Sequence, residues 1–297
     1  MHQPKAFSIS TLAIVGPGLI GGSLAAALRA ASCVGHILGV GRDLDSVLHA
    51  QRLGLIDEVV TIKEAAARAD VLVLATPVSA IAPLFEQLHP HLGAQTILTD
   101  VGSTKADVVR YAQQHLGADA VRFVPAHPIA GAEKAGPDAA QATLFAGRNV
   151  VLTPTRNTQA RAQEVVSSMW AHCGARVLLM PPAEHDEILA SVSHVPHFLS
   201  AVYMWQVASA DNADLRLSLA GSGFRDFTRI AAGSPEVWRD IFLSNKEAVL
   251  HELRQVQEVF AQAETALLAG DEQSLYDFLE RAALARRLWA SRSGYHE

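Results

Sequence analysis

The sequence predicts a doubly wound α/β domain over residues 1–180, followed by an all-α domain over residues 181–297. Three observations lead there. Short β-rich runs alternate with helix-like stretches through the first half of the chain, a GxGxxG triplet directly follows the first of those runs, and beyond Pro181-Pro182 the strand signal stops while long helical segments continue. The length agrees, because 297 residues exceed the usual single-domain size of about 100 to 200.

In chain order, residues 11–15, 37–40, 71–75, 96–99, 122–124 and 150–152 read as buried parallel strands. Crossover helices cover both faces of such a sheet and leave its strands continuously apolar. Residues 22–31, 44–53 and 80–88 read as helices between them, and a helix at 159–173 with a strand at 176–179 brings the sheet to its end. In the second domain, Val249, Leu253, Val256, Phe260, Ala263 and Leu267 recur every three or four positions up to Ala269-Gly270. Leu275, Phe278, Leu279, Ala282, Leu288 and Trp289 continue the pattern in a final helix. This is more apolar surface than one small core is expected to hide, so these C-terminal helices are expected to form a homodimer interface, the alternative being a monomeric helical core. Only the first ten residues and the tail after Ala290 lack a structural signal.

Composition narrows the function. Acidic residues outnumber basic ones, for a formal charge of -6, so no basic face is expected for nucleic acid. The apolar run at 12–28 is broken by glycines, and no other run approaches the roughly 18 residues that span a bilayer, so no membrane association is expected. Cys33 and Cys173 stand outside any CxxC pattern, which suggests neither a disulfide framework nor a thiolate metal site and fits a cytoplasmic protein.

The glycine triplet is Gly16-Pro17-Gly18-Leu19-Ile20-Gly21, placed after a strand and opening an alanine-rich helix as a Rossmann-type dinucleotide site requires. Gly16 permits the tight turn, Gly18 lets backbone approach the pyrophosphate, and Gly21 lets helix and strand touch. Leu19 and Ile20 belong to this cofactor-binding loop, which leads into a helix N-terminus whose free N–H groups face the phosphates. The end of the second strand chooses between NAD and NADP. If Gly41 holds the usual acidic position, no carboxylate repels a 2′-phosphate and Arg42 can pair with it, which favours NADP. A register shift would instead bring Asp43 to the ribose and favour NAD. Thr76 and Pro77, after the strand at 71–75, are expected to flank the dinucleotide.

Three further clusters suggest chemistry: Asp100-Val101-Gly102-Ser103-Thr104-Lys105, Ala126-His127-Pro128-Ile129-Ala130-Gly131 and Ser193-His194-Val195-Pro196-His197. The first two each follow a predicted strand, so they should meet above the carboxyl edge of the sheet, where Ser103 and His127 could share a hydrogen bond. The spacing of His194 and His197 admits a metal site, but Pro196 and the lack of a third ligand argue against one, and two satisfied core histidines would look the same.

These clusters, with the glycine loop, His185-Asp186 and Gly223-Phe224-Arg225-Asp226-Phe227-Thr228-Arg229, resemble in order the prephenate and arogenate dehydrogenase family of tyrosine biosynthesis over nearly the whole chain. The resemblance implies hydride transfer from a cyclohexadienyl ring to a nicotinamide with loss of carbon dioxide. It implies that His127 is the catalytic histidine accepting the ring hydroxyl's proton, oriented by Ser103. Arg229 would grip the substrate carboxylate bidentately, Arg225 would add positive potential, and His185, His194 and His197 would lie beside substrate and cofactor. No residue separates prephenate from arogenate. The chain ends soon after its last helix, so inhibition by tyrosine is expected to be direct competition at the site. Two rivals are weaker: a 3-hydroxyacid dehydrogenase of the 6-phosphogluconate type needs a catalytic lysine that only Lys246 could supply, and a non-catalytic redox sensor would need neither His127 nor Arg229.

Overall fold

The computed structural model describes residues 7–131 and 134–293; residues 1–6 and 294–297, part of the ends without a predicted element, lie outside them. It divides into two compact units, 1–246 and 247–297.

The first unit opens with β1 (Ile9–Val15), α1 (Leu19–Ala30), β2 (Val34–Val40), α2 (Leu44–Arg52), β3 (Glu58–Val59), α3 (Ile62–Arg68), β4 (Val71–Leu74), α4 (Ile81–Leu88), β5 (Ile97–Asp100), α5 (Ala106–Leu116) and β6 (Phe123–Val124). Their strands form one parallel sheet in the order β3-β2-β1-β4-β5-β6. The alternation of side chains along β1 explains why both faces are covered. Leu12 and Ile14 join a core with Leu24, Leu28, Phe145 and Trp170, while Ala13 and Val15 join another with Leu38, Leu72, Phe85 and Phe123. The strand order reverses between β1 and β4, so the crevice where ligands bind in such sheets opens beyond their carboxyl ends, at Gly16 and Thr76.

Two features differ from expectation. β3 is a two-residue strand, too short to show a period in sequence. The strands expected at 150–152 and 176–179 leave the main sheet: β7 (Ala126–Pro128) pairs antiparallel with β8 (Asn149–Leu152), which pairs parallel with β9 (Arg176–Leu179) after α6 (Ala160–His172). Pro125 is the physical cause, since it has no N–H to continue a ladder. Its carbonyl instead accepts from Thr153 N at 3.0 Å, and the next N–H, of Ala126, goes to the Asp100 carboxylate at 3.0 Å.

Helices follow: α7 (Pro182–Leu189), a π-turn at Ala190–His194, α8 (Val195–Ala208), α9 (Ala213–Ser218), α10 (Ser222–Thr228), a 3-10 turn at Arg229–Ala232 and α11 (Pro235–Ser244). Pro196 cannot complete the regular ladder of the preceding turn, and the wide turn lies directly before it.

The second unit is a hairpin of α12, whose residues run Lys246–Ala269, and α13 (Glu272–Ser293). Asp271 caps α13 by accepting from Ser274 N at 3.0 Å. Phe260, Leu267, Phe278, Leu279, Leu288 and Trp289, all from the predicted apolar stripe, are exposed. No helix among the described residues is long and apolar enough to cross a membrane.

Gly21 tests the helix–strand contact. A Cβ there would lie 2.4 Å from the Gly16 carbonyl oxygen and 2.8 Å from Ile14 Cγ2. Gly21→Ala is expected to lower the unfolding free energy by about 1–3 kcal/mol, read from the urea midpoint at unchanged slope.

Candidate active site

The crevice is lined by backbone and one orphaned hydroxyl. The chain turns at Gly16 with φ of 91°, where a Cβ would also strike the Ala75 carbonyl oxygen at 2.5 Å. The space at Gly18 is open, its nearest neighbour to an added Cβ being Gly136 Cα at 4.0 Å. Leu19 and Ile20 begin α1, which has no side-chain cap, so N–H groups and the positive end of the helix face that space. Thr76 Oγ1, at the end of β4, is buried without a hydrogen-bond partner among the described residues, and Pro77 follows it. An uncapped helix start with room before it and an unsatisfied hydroxyl beside it fit a dinucleotide. At the end of β2, Gly41 has a packing cause, since a Cβ would meet Val47 Cγ2 at 2.4 Å. Arg42 is exposed, and the Asp43 carboxylate caps α2 by accepting from Asp45 N at 3.2 Å.

Beyond β5 lies a buried polar knot. Asp100 accepts from Gly102 N at 2.8 Å, from Ala126 N and from the Lys105 ammonium, which also donates to the Ala126 carbonyl at 2.8 Å. Both polar groups of Ala126 are thereby held. Burial pulls the Lys105 pKa below its ordinary value, against the attraction of Asp100 and Asp186.

His127, on β7, is half-buried beside this knot. Its Nδ1 lies 2.9 Å from His185 Nε2, with the two rings edge to face. His185 is fully buried, and its Nδ1 lies 2.7 Å from Asp186 Oδ1. Asp186 also accepts from the backbone N–H groups of Lys105 and Ala106, each at 2.8 Å. Asn245, just after α11, donates to the Asp186 carbonyl at 2.7 Å and to His194 Nδ1 at 3.1 Å. His197 donates from Nδ1 to the Ser193 carbonyl at 3.0 Å and stacks on Trp238 with ring centroids 3.5 Å apart. Burial, reinforced by His185, Lys105 and His194, drives the His127 pKa well below its usual value, so the ring is neutral near pH 7. Such an imidazole keeps one lone pair for accepting a proton.

The prephenate dehydrogenase nucleotide-binding domain matches residues 24–179, and the prephenate dehydrogenase dimerization domain matches residues 181–281. The chain belongs to the prephenate dehydrogenase family. Prephenate dehydrogenase of Bacillus subtilis is 34% identical over 95% of this chain and 76% of its own length. Cyclohexadienyl dehydrogenase of Zymomonas mobilis is 35% identical over 93% of this chain and 94% of its own. Among solved structures, prephenate dehydrogenase from A. aeolicus in complex with hydroxyphenyl propionate and NAD+ superposes with a TM-score of 0.90, at 33% identity over 95% of this chain and 99% of that one. The protein is an oxidoreductase of this family, with a Rossmann-type domain that takes a nicotinamide cofactor.

Against this family background, the predicted residues divide. His127, His185 and His194 come together, and His197 joins them through Trp238, which also faces the His194 ring. The charge of Arg229 reaches His197, adding to the burial that lowers that histidine's pKa. Arg225 is exposed four residues earlier, and no described hydrogen bond ties its guanidinium to the cluster. One expectation needs correction. No hydrogen bond joins Ser103 to His127 among the described residues, because β7 belongs to the second sheet and the His127 Nδ1 meets α7 instead. Both nitrogens of His185 are engaged, one with His127 and one with Asp186. Among the described residues, no group of three or more His, Cys, Asp or Glu could hold a metal ion.

Sequence reasoning missed Asp186, Asn245 and Trp238. The adjacency of His185 and Asp186 was the one available signal, but the amides that Asp186 caps lie about 80 residues earlier.

Burial holds His194 at a pKa of about 4, His185 and His197 adding to the shift and Asp186 opposing it. The unfolded chain takes up this proton near the ordinary 6.5, whereas the native state refuses it until about 4. Stability is therefore expected to fall as pH drops through that window, by about 3 kcal/mol from this residue alone. Urea melts of wild type and His194→Gln between pH 7 and pH 4 measure the difference in slope.

Proposed function

We propose that this protein catalyses oxidative decarboxylation of prephenate, arogenate or both, giving 4-hydroxyphenylpyruvate or tyrosine, with NADP as the preferred cofactor. The observation behind this reading is a neutral histidine, His127, backed by a second histidine at the edge of a dinucleotide crevice in a chain of this family. The ring hydroxyl of the substrate donates to His127, which takes its proton as carbonyl character develops at that carbon. The nicotinamide, when bound, supplies the acceptor for the hydride. The bond between the ring and its carboxyl group breaks, carbon dioxide leaves, and the electron pair completes an aromatic ring.

Arg229 grips a substrate carboxylate and keeps its charge at any working pH. Ser103 orients His127 in the substrate complex, Arg225 adds positive potential, and His194 and His197 border the substrate. Residues 1–180 serve the cofactor and residues 181–297 serve substrate and dimerisation. A homodimer through α12 and α13 covers the exposed apolar stripe, in keeping with the dimerization domain matched there. Tyrosine competes directly with substrate, and the enzyme works in the cytoplasm.

Incubation with prephenate or arogenate and NADP, followed at the absorbance of reduced cofactor, tests the reaction. Turnover is expected with at least one; none with either overturns the reading. His127→Asn should lower kcat by about 100-fold or more with little change in KM. Arg229→Ala should chiefly raise KM, by about tenfold to a hundredfold.

NADP preference is supported by the missing carboxylate at Gly41, the exposed Arg42 and the use of Asp43 as a helix cap. Arg42→Ala is expected to cut kcat/KM for NADP by about tenfold and leave NAD little changed. Gly41→Asp should shift preference toward NAD but lower the melting temperature through its clash with Val47, and Val47→Ala should relieve that loss.

A further inference from the structure

We propose that Asp186 is a positioning residue that sets the tautomer of His185 and, through it, the tautomer of His127, so that His127 offers an unprotonated Nε2 to the substrate. The inference rests on the reading of His127 as the proton acceptor.

The line of contacts begins at its buried end. Three donors converge on the Asp186 carboxylate: two backbone N–H groups, which can only donate, and His185 Nδ1 at 2.7 Å. The two amides open α5, a helix with no cap from its own chain neighbours, so the carboxylate also faces the positive end of that helix. Surrounded this way, Asp186 is an acceptor, and the proton between it and His185 sits on Nδ1. A neutral imidazole then has only a lone pair at Nε2. The 2.9 Å contact to His127 Nδ1 must be made by a proton from His127. His127 is itself kept neutral, so its single proton is spent on this bond and its Nε2 has a free lone pair. No described residue bonds to that nitrogen.

The opposite order is chemically distinct. Were His185 to donate from Nε2, His127 would accept at Nδ1 and carry its proton on Nε2, where it could not receive one from a ring hydroxyl. The two states differ by which way two protons point along one line of hydrogen bonds, and the carboxylate at its end selects between them. Carboxylates that orient a histidine for general-base work act in the same manner elsewhere; here the effect passes through a second imidazole.

The test is the long-range proton–nitrogen spectrum of the NADP-bound wild-type enzyme, with signals of His127 and His185 assigned by their loss in His127→Asn and His185→Gln. Both rings are expected as Nδ1–H tautomers. A His127 ring protonated at Nε2 overturns the proposal, whatever the kinetics.

Kinetics supply the second arm. In Asp186→Asn the amide can donate toward His185 Nδ1 and reverse the line, so kcat should fall about 100-fold while KM changes by less than about threefold. His185→Gln keeps a carbonyl able to accept from His127 and should retain kcat within about tenfold; His185→Phe removes the acceptor and should lose about 100-fold. Unchanged kcat in Asp186→Asn, or equal loss in the Gln and Phe variants, counts against the proposal. If Asp186→Asn fails to fold for want of the α5 cap, the wild-type spectrum still decides. Failure of the functional reading looks different: no turnover in wild type, or near-normal turnover in His127→Asn.

Discussion

A lysine without water fixes the geometry on which the site depends. Lys105 and Asp100 are both fully buried, and such a pair brings little net stability, because desolvation offsets most of its attraction. What it brings is position. The ammonium and the carboxylate together hold the N–H and the carbonyl of Ala126, at the point where Pro125 has just ended the main sheet. Without that grip the first strand of the second sheet would have no fixed register to β5. His127 is the next residue.

The same economy appears one layer out. Lys105 closes the loop after β5, its own amide is capped by Asp186 of α7, and Asp186 backs the histidine that backs His127. Asn245 ties the far side of Asp186 to His194. Within α11, Asp240 accepts from Ser79, just beyond the Thr76-Pro77 corner, and Ser244 meets Thr104 across 3.0 Å. The helical part of the first unit therefore touches the carboxyl edge of the sheet at the cofactor corner and at the catalytic loop.

How much of this could be read from residues alone follows from the range of each interaction. The glycine loop was legible because its constraints are local: turn, approach and helix start fall within six consecutive residues. The main sheet was legible because period and burial act within each strand. The second sheet was not, since the proline that causes it looks like any strand end until its carbonyl is seen to pair with Thr153. His127 stood out through its motif. Asp186 did not, although it sits beside His185, because a carboxylate that caps a helix 80 residues earlier has no local signature. The hydrogen bond expected between Ser103 and His127 is absent among the described residues for the same reason: the direction of the His127 ring depends on which sheet β7 joins.

The π-turn at Ala190–His194 has a bearing on all of this. In a regular helix, residues nine apart, such as His185 and His194, point about 180° away from each other. One additional residue absorbed in a wide turn takes back roughly 100° of that rotation and swings the second histidine toward the first. The chain thus sets the phase of α8 by a single surplus residue. Removing any one residue from that turn, even the exposed Val192, would leave both helices intact and dismantle the cluster between them.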